Sequence, residues 1–196
     1  NALAAVGIGA PGSIYPVDTP PYEGLRFGWQ LSPNLNFGKS PDVYAEIANL
    51  GFSFVREVFP WNLVQQQKND PIDLNFGSME HEIWTQSVKD NKLQVMATLV
   101  GPPPTSDQSD EDFLTEWRHY LEMIVPELTE TVDYWQIGNQ MNTNSIWKSF
   151  RASAQGADPA LYGKMLRIAY EIIKVNESSD LVIIGGLNNL SGQEVG

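Results

Sequence analysis

Three amide side chains crowd four consecutive positions, Asn139, Gln140 and Asn142, directly after the run Val132-Asp-Tyr-Trp-Gln-Ile-Gly138. A carboxamide donates and accepts hydrogen bonds but holds no transferable proton. Val132, Tyr134 and Ile137 are residue types that strands favour. Gly138 lets the backbone bend or approach a neighbour closely. A buried strand ending in a polar cluster is how a parallel α/β sheet presents a site at its carboxyl edge.

Other residues with chemical potential read more plainly. The chain has no Cys, which excludes a disulfide framework and thiolate chemistry. No G-x-S-x-G occurs, so a serine hydrolase of the α/β type is unsupported. His81 and His119 fall on predicted helices, and His81-Glu82 lacks the second His of a zinc-binding H-E-x-x-H. Asp107, Asp110, Glu111 and Asp112 lack the Gly and spacing of a calcium loop, and acids at a helix start already suit the helix dipole. No metal and no cofactor are expected. Gly7-Ile-Gly-Ala-Pro-Gly12 matches a dinucleotide pattern, but Pro11 and Pro16 forbid the helix it must open. Gly38-Lys-Ser40 resembles the end of a phosphate loop, whose first Gly would fall on Pro33. Asn176-Glu-Ser178 and Asn189-Leu-Ser191 are glycosylation sequons by pattern only.

The 196 residues suit one domain with a sizeable core. At 42% hydrophobic and 18% charged, the composition is that of a globular chain. A net charge of -12 argues against nucleic acid and anionic membrane surfaces and suits neutral ligands such as sugars. No apolar run reaches the roughly 20 residues of a membrane span. Ala2–Ala10 is short and apolar without a preceding basic segment, either the tail of a trimmed leader or an ordered start.

The elements that must position the amide cluster alternate along the chain. Residues 1–24 form a Gly/Pro-rich extended lead-in, and 25–196 form the folded part. Leu25–Leu31 reads as a first strand. Ser40 as N-cap, Pro41 and Asp42 open a helix whose apolar face is Val43, Ile47 and Leu50, closed by Gly51. Phe52–Val58 is a second strand, followed by a loop from Phe59 to Gly77. Ser78 starts a helix with Ile83, Trp84, Ser87 and Val88 inward. Leu93–Val100, nearly all apolar, is a strand covered on both faces. From about Asp110 a helix buries Phe113, Trp117, Tyr120, Leu121, Ile124 and Leu128, and Pro126 should kink or shorten it. After the fourth strand comes a long loop, Met141 to Ala157. Asp158-Pro159 caps a helix whose face is Tyr162, Met165, Leu166, Ala169, Ile172 and Ile173, and Leu181–Leu187 is a fifth strand. Five strands with four intervening helices, in units of roughly 30–45 residues, imply a parallel α/β sheet, either a closed barrel or an open doubly wound sheet.

Three segments carry a resemblance: Val55-Arg-Glu-Val-Phe-Pro-Trp61, Trp135-Gln-Ile-Gly-Asn-Gln140 and Ile184-Gly-Gly-Leu187. In order and spacing, Leu25 to Leu187 resembles the first five β/α units of the retaining glycoside hydrolases built on a (β/α)8 TIM barrel. That large clan includes cellulases, xylanases and β-xylosidases. The resemblance implies a TIM barrel of which this chain supplies about five units, a carbohydrate substrate and a role in polysaccharide degradation. It further implies an extracellular or cell-surface location, otherwise cytoplasmic.

Two departures from the family stand out. Its acid/base Glu falls on Gln140, and the Pro that commonly follows falls on Met141. A full barrel takes about 250 residues, and the family nucleophile, a Glu ending the seventh strand, is not in this chain. Retaining hydrolysis needs two carboxyl groups about 5–5.5 Å apart, one to attack the anomeric carbon and one to transfer protons. Loss of the general acid typically removes about 10²–10⁴ in rate, so this version should bind sugar far better than it cleaves it. The Gln is equally consistent with a natural replacement and with a deliberate, nearly isosteric one. The remaining strands are expected from further residues or from a second chain.

By the same resemblance Asn139 aligns with the Asn that bonds the sugar 2-hydroxyl, against the alternative of a strand-end cap. Arg56 aligns with an Arg beneath the nucleophile, against a buried ion pair with Glu57 or another acid. Trp61 and Trp147, in loops after strands two and four, would stack on sugar faces or pack within the loops. Asn142 joins the substrate-binding candidates, and Trp29 is a weaker one. A non-catalytic carbohydrate-binding or structural barrel is the competing function. An open flavodoxin-like sheet is the competing fold.

Overall fold

The computed structural model describes residues 28–30, 40–75, 79–103, 109–151 and 154–189. The lead-in 1–24, the Gly7–Gly12 and Gly38-Lys39 patterns, the Trp29 side chain, Ser78 and Asp107 lie outside the described residues. Strand β1 covers Gly28–Gln30, β2 Phe54–Pro60, β3 Gln94–Val100, β4 Tyr134–Ile137 and β5 Leu181–Ile184. Between them lie helices α1 (Asp42–Asn49), α2 (Trp61–Val64), α3 (His81–Asp90), α4 (Asp110–Leu128), α5 (Asn144–Phe150) and α6 (Pro159–Asn176).

The five strands form one parallel sheet in the order β1-β2-β3-β4-β5, every neighbour being the next strand in sequence. A doubly wound sheet must reverse strand order at a switch point, so this order excludes the flavodoxin-like alternative. It is the order in which a barrel winds.

The helix-facing side of the sheet is the more fully buried, although Thr98 and Gln136 on the other face are buried as well. Val55, Phe59, Val95, Ala97, Leu99, Trp135 and Ile137 are buried, and lie on the face turned to the helices. Phe59 meets Trp84 of α3 edge to face, and Glu57 on the same face reaches Tyr44 of α1. Arg56, Val58, Met96 and Tyr134, on the opposite face, are only half-buried. In β5 the exposed Ile184 pairs in register with Ile137, on the helix-facing side.

Several local expectations need correction. The assigned helix α1 begins at Asp42, but Pro41 already has helical dihedrals and Ser40 Oγ accepts from the Asp42 N–H at 3.3 Å, so the expected start, Ser40 as N-cap and Pro41 first in the helix, holds. Its buried residues are Tyr44 and Ile47, while Leu50 is exposed. Ile83 is also exposed, although Trp84, Ser87 and Val88 are buried as the period demands. Helix α4 continues past Pro126 to Leu128 and is not shortened there. Pro126 stands in the last turn on an exposed face, where the one lost backbone bond leaves the Glu122 carbonyl beside solvent. Both segments expected as plain loops hold short helices, α2 and α5. Ser109 and Asp158 cap α4 and α6, accepting from the Asp112 and Leu161 N–H groups. Among the described residues no helix is long and apolar enough to cross a membrane.

Candidate functional site

The amide cluster sits on the turn that leaves β4, at the carboxyl rim of the sheet. Backbone bonds fix this turn at nearly every residue. Gly138 N–H donates to Leu99 O at 2.8 Å, tying the turn to β3. Gln140 N–H donates to Gly186 O at 2.6 Å, tying it to the segment after β5. Gln140 O accepts from both the N–H and the hydroxyl of Thr143, each at 3.0 Å. The Trp147 indole donates to Met141 O at 2.8 Å.

Two glycines make this path possible. Gly138 has φ +73, and a Cβ there would sit 2.5 Å from Met141 Sδ. A Cβ on Gly185 would sit 2.8 Å from Gly138 O, so β4 and β5 approach here through bare backbone. Gln140 itself has φ +54, in the left-handed region that a non-glycine residue enters at a cost of about 1 kcal/mol. Its side chain is exposed, and Asn139 beside it is half-buried. The backbone of residue 140 is thus held on both sides, and its carboxamide projects from the rim.

Beneath the turn a polar chain crosses the inner face of the sheet. Arg56 Nε donates to Gln136 Oε1 at 3.0 Å, and Gln136 Nε2 donates to Gly138 O at 2.8 Å. Burial pulls the Arg56 guanidinium below its usual pKa. Arg56 therefore braces the strand-four turn through an amide. The ion pair with Glu57 does not form, because neighbouring residues of a strand point to opposite faces. Glu57 Oε1 instead accepts from the Tyr44 hydroxyl at 2.7 Å and the Trp84 indole at 3.3 Å, and burial raises its pKa.

Three candidates are placed differently from the sugar-contact expectation. Trp61 is only 1% exposed, stacked on Tyr120 at 4.8 Å, tilted against Trp117, and its indole donates to Gln65 Oε1. Trp147 is fully buried against Phe150. Neither ring offers a face to a ligand; short helices α2 and α5 turn both indoles into the core. Asn142 spends both ends of its amide on Asn188, donating to its carbonyl and accepting from its N–H, each at 2.9 Å. It clasps the loops after β4 and β5 together and is a structural staple of the rim.

Gln136, Thr143, Tyr162 and Gly185 also build the site, and none was foreseen as doing so. Gln136 carried a signal, a polar side chain on the inner face of an otherwise buried strand. Tyr162 of α6 donates to Ile137 O at 2.6 Å and accepts from Gly185 N–H at 2.7 Å. Burial raises its phenol pKa. Its apolar ring was legible in the helix period, but its hydroxyl partners come from two other elements.

The histidines stand apart from the rim. His81 packs against Trp84 with ring centroids 5.5 Å apart, burial lowers its pKa, and His119 is exposed. The acids at the start of α4 are engaged locally: Asp112 with Ser109, and Asp110 in an ion pair with Arg151. Among the described residues no three His, Asp or Glu side chains converge as a metal ion would require.

No protein-family model matches the chain, and no curated protein matches it significantly. Its structure does resemble solved ones. It is similar to a family 39 glycoside hydrolase from the gut symbiont Bacteroides cellulosilyticus, with TM-score 0.57 and 18% identity, covering 81% of this chain and 31% of that one. A family 10 endoxylanase from a sugarcane soil metagenome aligns with TM-score 0.58 and 11% identity, covering 82% and 48%. A family 5 glycoside hydrolase from Prevotella bryantii aligns with TM-score 0.58 and 12% identity, covering 81% and 54%. The chain thus spans between about a third and about half of the length of these structures. At such identities the likeness establishes the fold, which is a parallel α/β sheet with alternating helices, matching part of a glycoside hydrolase TIM barrel.

Proposed function

We propose that this chain is the N-terminal part of a glycoside hydrolase-type barrel for β-linked glycans, built for the retaining two-carboxylate mechanism, with Gln140 in the seat of the acid/base. The carrying observation is the geometry of residue 140: a strained, doubly anchored backbone presenting an exposed side chain at the carboxyl rim of β4. Strain at a non-glycine residue is a pointer to function when the surroundings hold it in place. Asn139 stands beside it for the sugar 2-hydroxyl, and Arg56 supports the turn from below through Gln136.

In the retaining mechanism a carboxylate attacks the anomeric carbon while the acid protonates the departing oxygen; the same group then deprotonates the incoming water. The Gln140 carboxamide can donate a hydrogen bond to the departing oxygen but cannot release a proton to it. The nucleophile is to come from a seventh strand, on further residues or a second chain, and the protein meets its substrate outside the cell or at its surface. The carboxamide also favours one other reading, a barrel that binds carbohydrate without cleaving it.

The deciding experiment is Gln140→Glu in the protein carrying the complete barrel, assayed on aryl β-glycosides. A rise in turnover of about 10²–10⁴ is expected. No rise would favour the non-catalytic binder.

A further inference from the structure

We infer that Tyr162 is a positioning residue for the acid/base seat, its hydroxyl linking the ends of β4 and β5 and so setting where residue 140 stands. The inference rests on the reading of Gln140 just given.

The ladder between these strands shows why. Leu181 N–H donates to Asp133 O at 3.0 Å, and the pairing runs in register up to Ile137 and Ile184. A parallel ladder repeats every two residues, so its next step joins Gly185 N–H to Ile137 O. At that step stands a side chain: Gly185 N–H donates to the Tyr162 oxygen, and the Tyr162 hydroxyl donates to Ile137 O. Both backbone groups lie within three residues of Gln140 or directly precede Gly186, whose carbonyl holds the Gln140 N–H. The phenol therefore sits between the last regular pair of β4 and β5 and the bond that anchors residue 140.

The hydroxyl is itself rigidly carried. Helix α6 is capped by Asp158, and the Trp117 indole of α4 donates to Met165 O one turn beyond Tyr162. The position of the rim is thus referred to the α4–α6 pair and not only to the sheet. Removing the hydroxyl lets Ile137 O and Gly185 N–H draw together or leaves an untethered water between them, and either outcome releases Gly138, Asn139 and Gln140 from the position that α6 sets. A displacement of about 1 Å at a proton-transfer group can cost about 10²-fold in rate, with little effect on binding by the rest of the cleft.

The test uses the complete barrel with Gln140→Glu, alone and combined with Tyr162→Phe or with Val88→Ala. Val88→Ala opens a cavity behind α3, which carries neither the phenol nor the rim. Tyr162→Phe is expected to lower kcat about 10-fold or more, with KM little changed and the pH-rate profile displaced. Val88→Ala is expected to lower the melting temperature while keeping kcat. Equal kcat in the presence and absence of Tyr162→Phe, or the same kcat loss in both double variants, overturns the positioning role alone. Absence of turnover in Gln140→Glu itself overturns the enzyme reading and this inference with it. Where Tyr162→Phe does not fold, 3,5-difluorotyrosine at 162 keeps the ring and hydroxyl but weakens the oxygen as an acceptor. An intermediate kcat is then expected, and an unchanged one overturns the role.

Discussion

Single residues on this sheet take their chemistry from the face they occupy. Arg56 and Glu57 are adjacent in sequence, yet one braces the rim and the other is held against Tyr44 of α1 and Trp84 of α3. Glu57 has a raised pKa because burial penalises its charged form more than the two hydrogen bonds favour it. Folding thus favours the protonated acid relative to the unfolded chain. A folded pKa above the unfolded value gives stability that is full at low pH. That stability is lost as pH rises from the ordinary glutamate range through the elevated value. Glu57→Gln keeps an acceptor for Tyr44 and Trp84 and carries no charge. Its unfolding free energy should therefore fall less than that of the parent as pH rises through that window. Denaturant titrations at a series of pH values would show it; parallel curves for both proteins would refute the assignment.

At the level of elements, the short helices α2 and α5 decide the fate of the two indoles once expected at the rim. Trp61 opens α2 directly after β2 ends at Pro60, and its ring enters a cluster with Phe113, Trp117 and Tyr120 of α4. Trp61→Ala should cost about 3–5 kcal/mol in urea unfolding, the usual range for emptying a large aromatic site. Trp61→Phe should leave glycan affinity in the complete barrel unchanged; a marked loss of affinity with an intact fold would return Trp61 to the binding surface. The periods of the longer helices were legible because each had to bury a stripe. The short helices were not legible because four and seven residues carry no measurable period.

For the whole molecule, the sheet order makes the chain part of a cylinder. Strand β5 leaves Leu181 and Ile184 exposed, and among the described residues its outer edge has no partner. Unpaired edges with apolar side chains promote association. The 196-residue chain on its own should self-associate with rising concentration in sedimentation experiments, and the complete barrel should not. A species of 21.9 kDa that stays monomeric at all concentrations would contradict this.

Residue order alone determined the alternation of strands and helices, because each element must bury a periodic set of apolar side chains. It also marked the Asn139-Gln140 turn as a candidate site, because polar side chains that follow a buried strand fall at the carboxyl rim of a parallel sheet. The tertiary structure decided what no local pattern encodes. It set the strand order that separates a barrel from a doubly wound sheet. It turned Trp61 and Trp147 inward and gave the Asn142 amide to Asn188. It brought the Tyr162 hydroxyl between two strands, a contact of residues 25 and 23 positions apart. These outcomes depend on which surfaces meet across the fold, and hydrogen-bond partners distant in sequence leave no periodic trace.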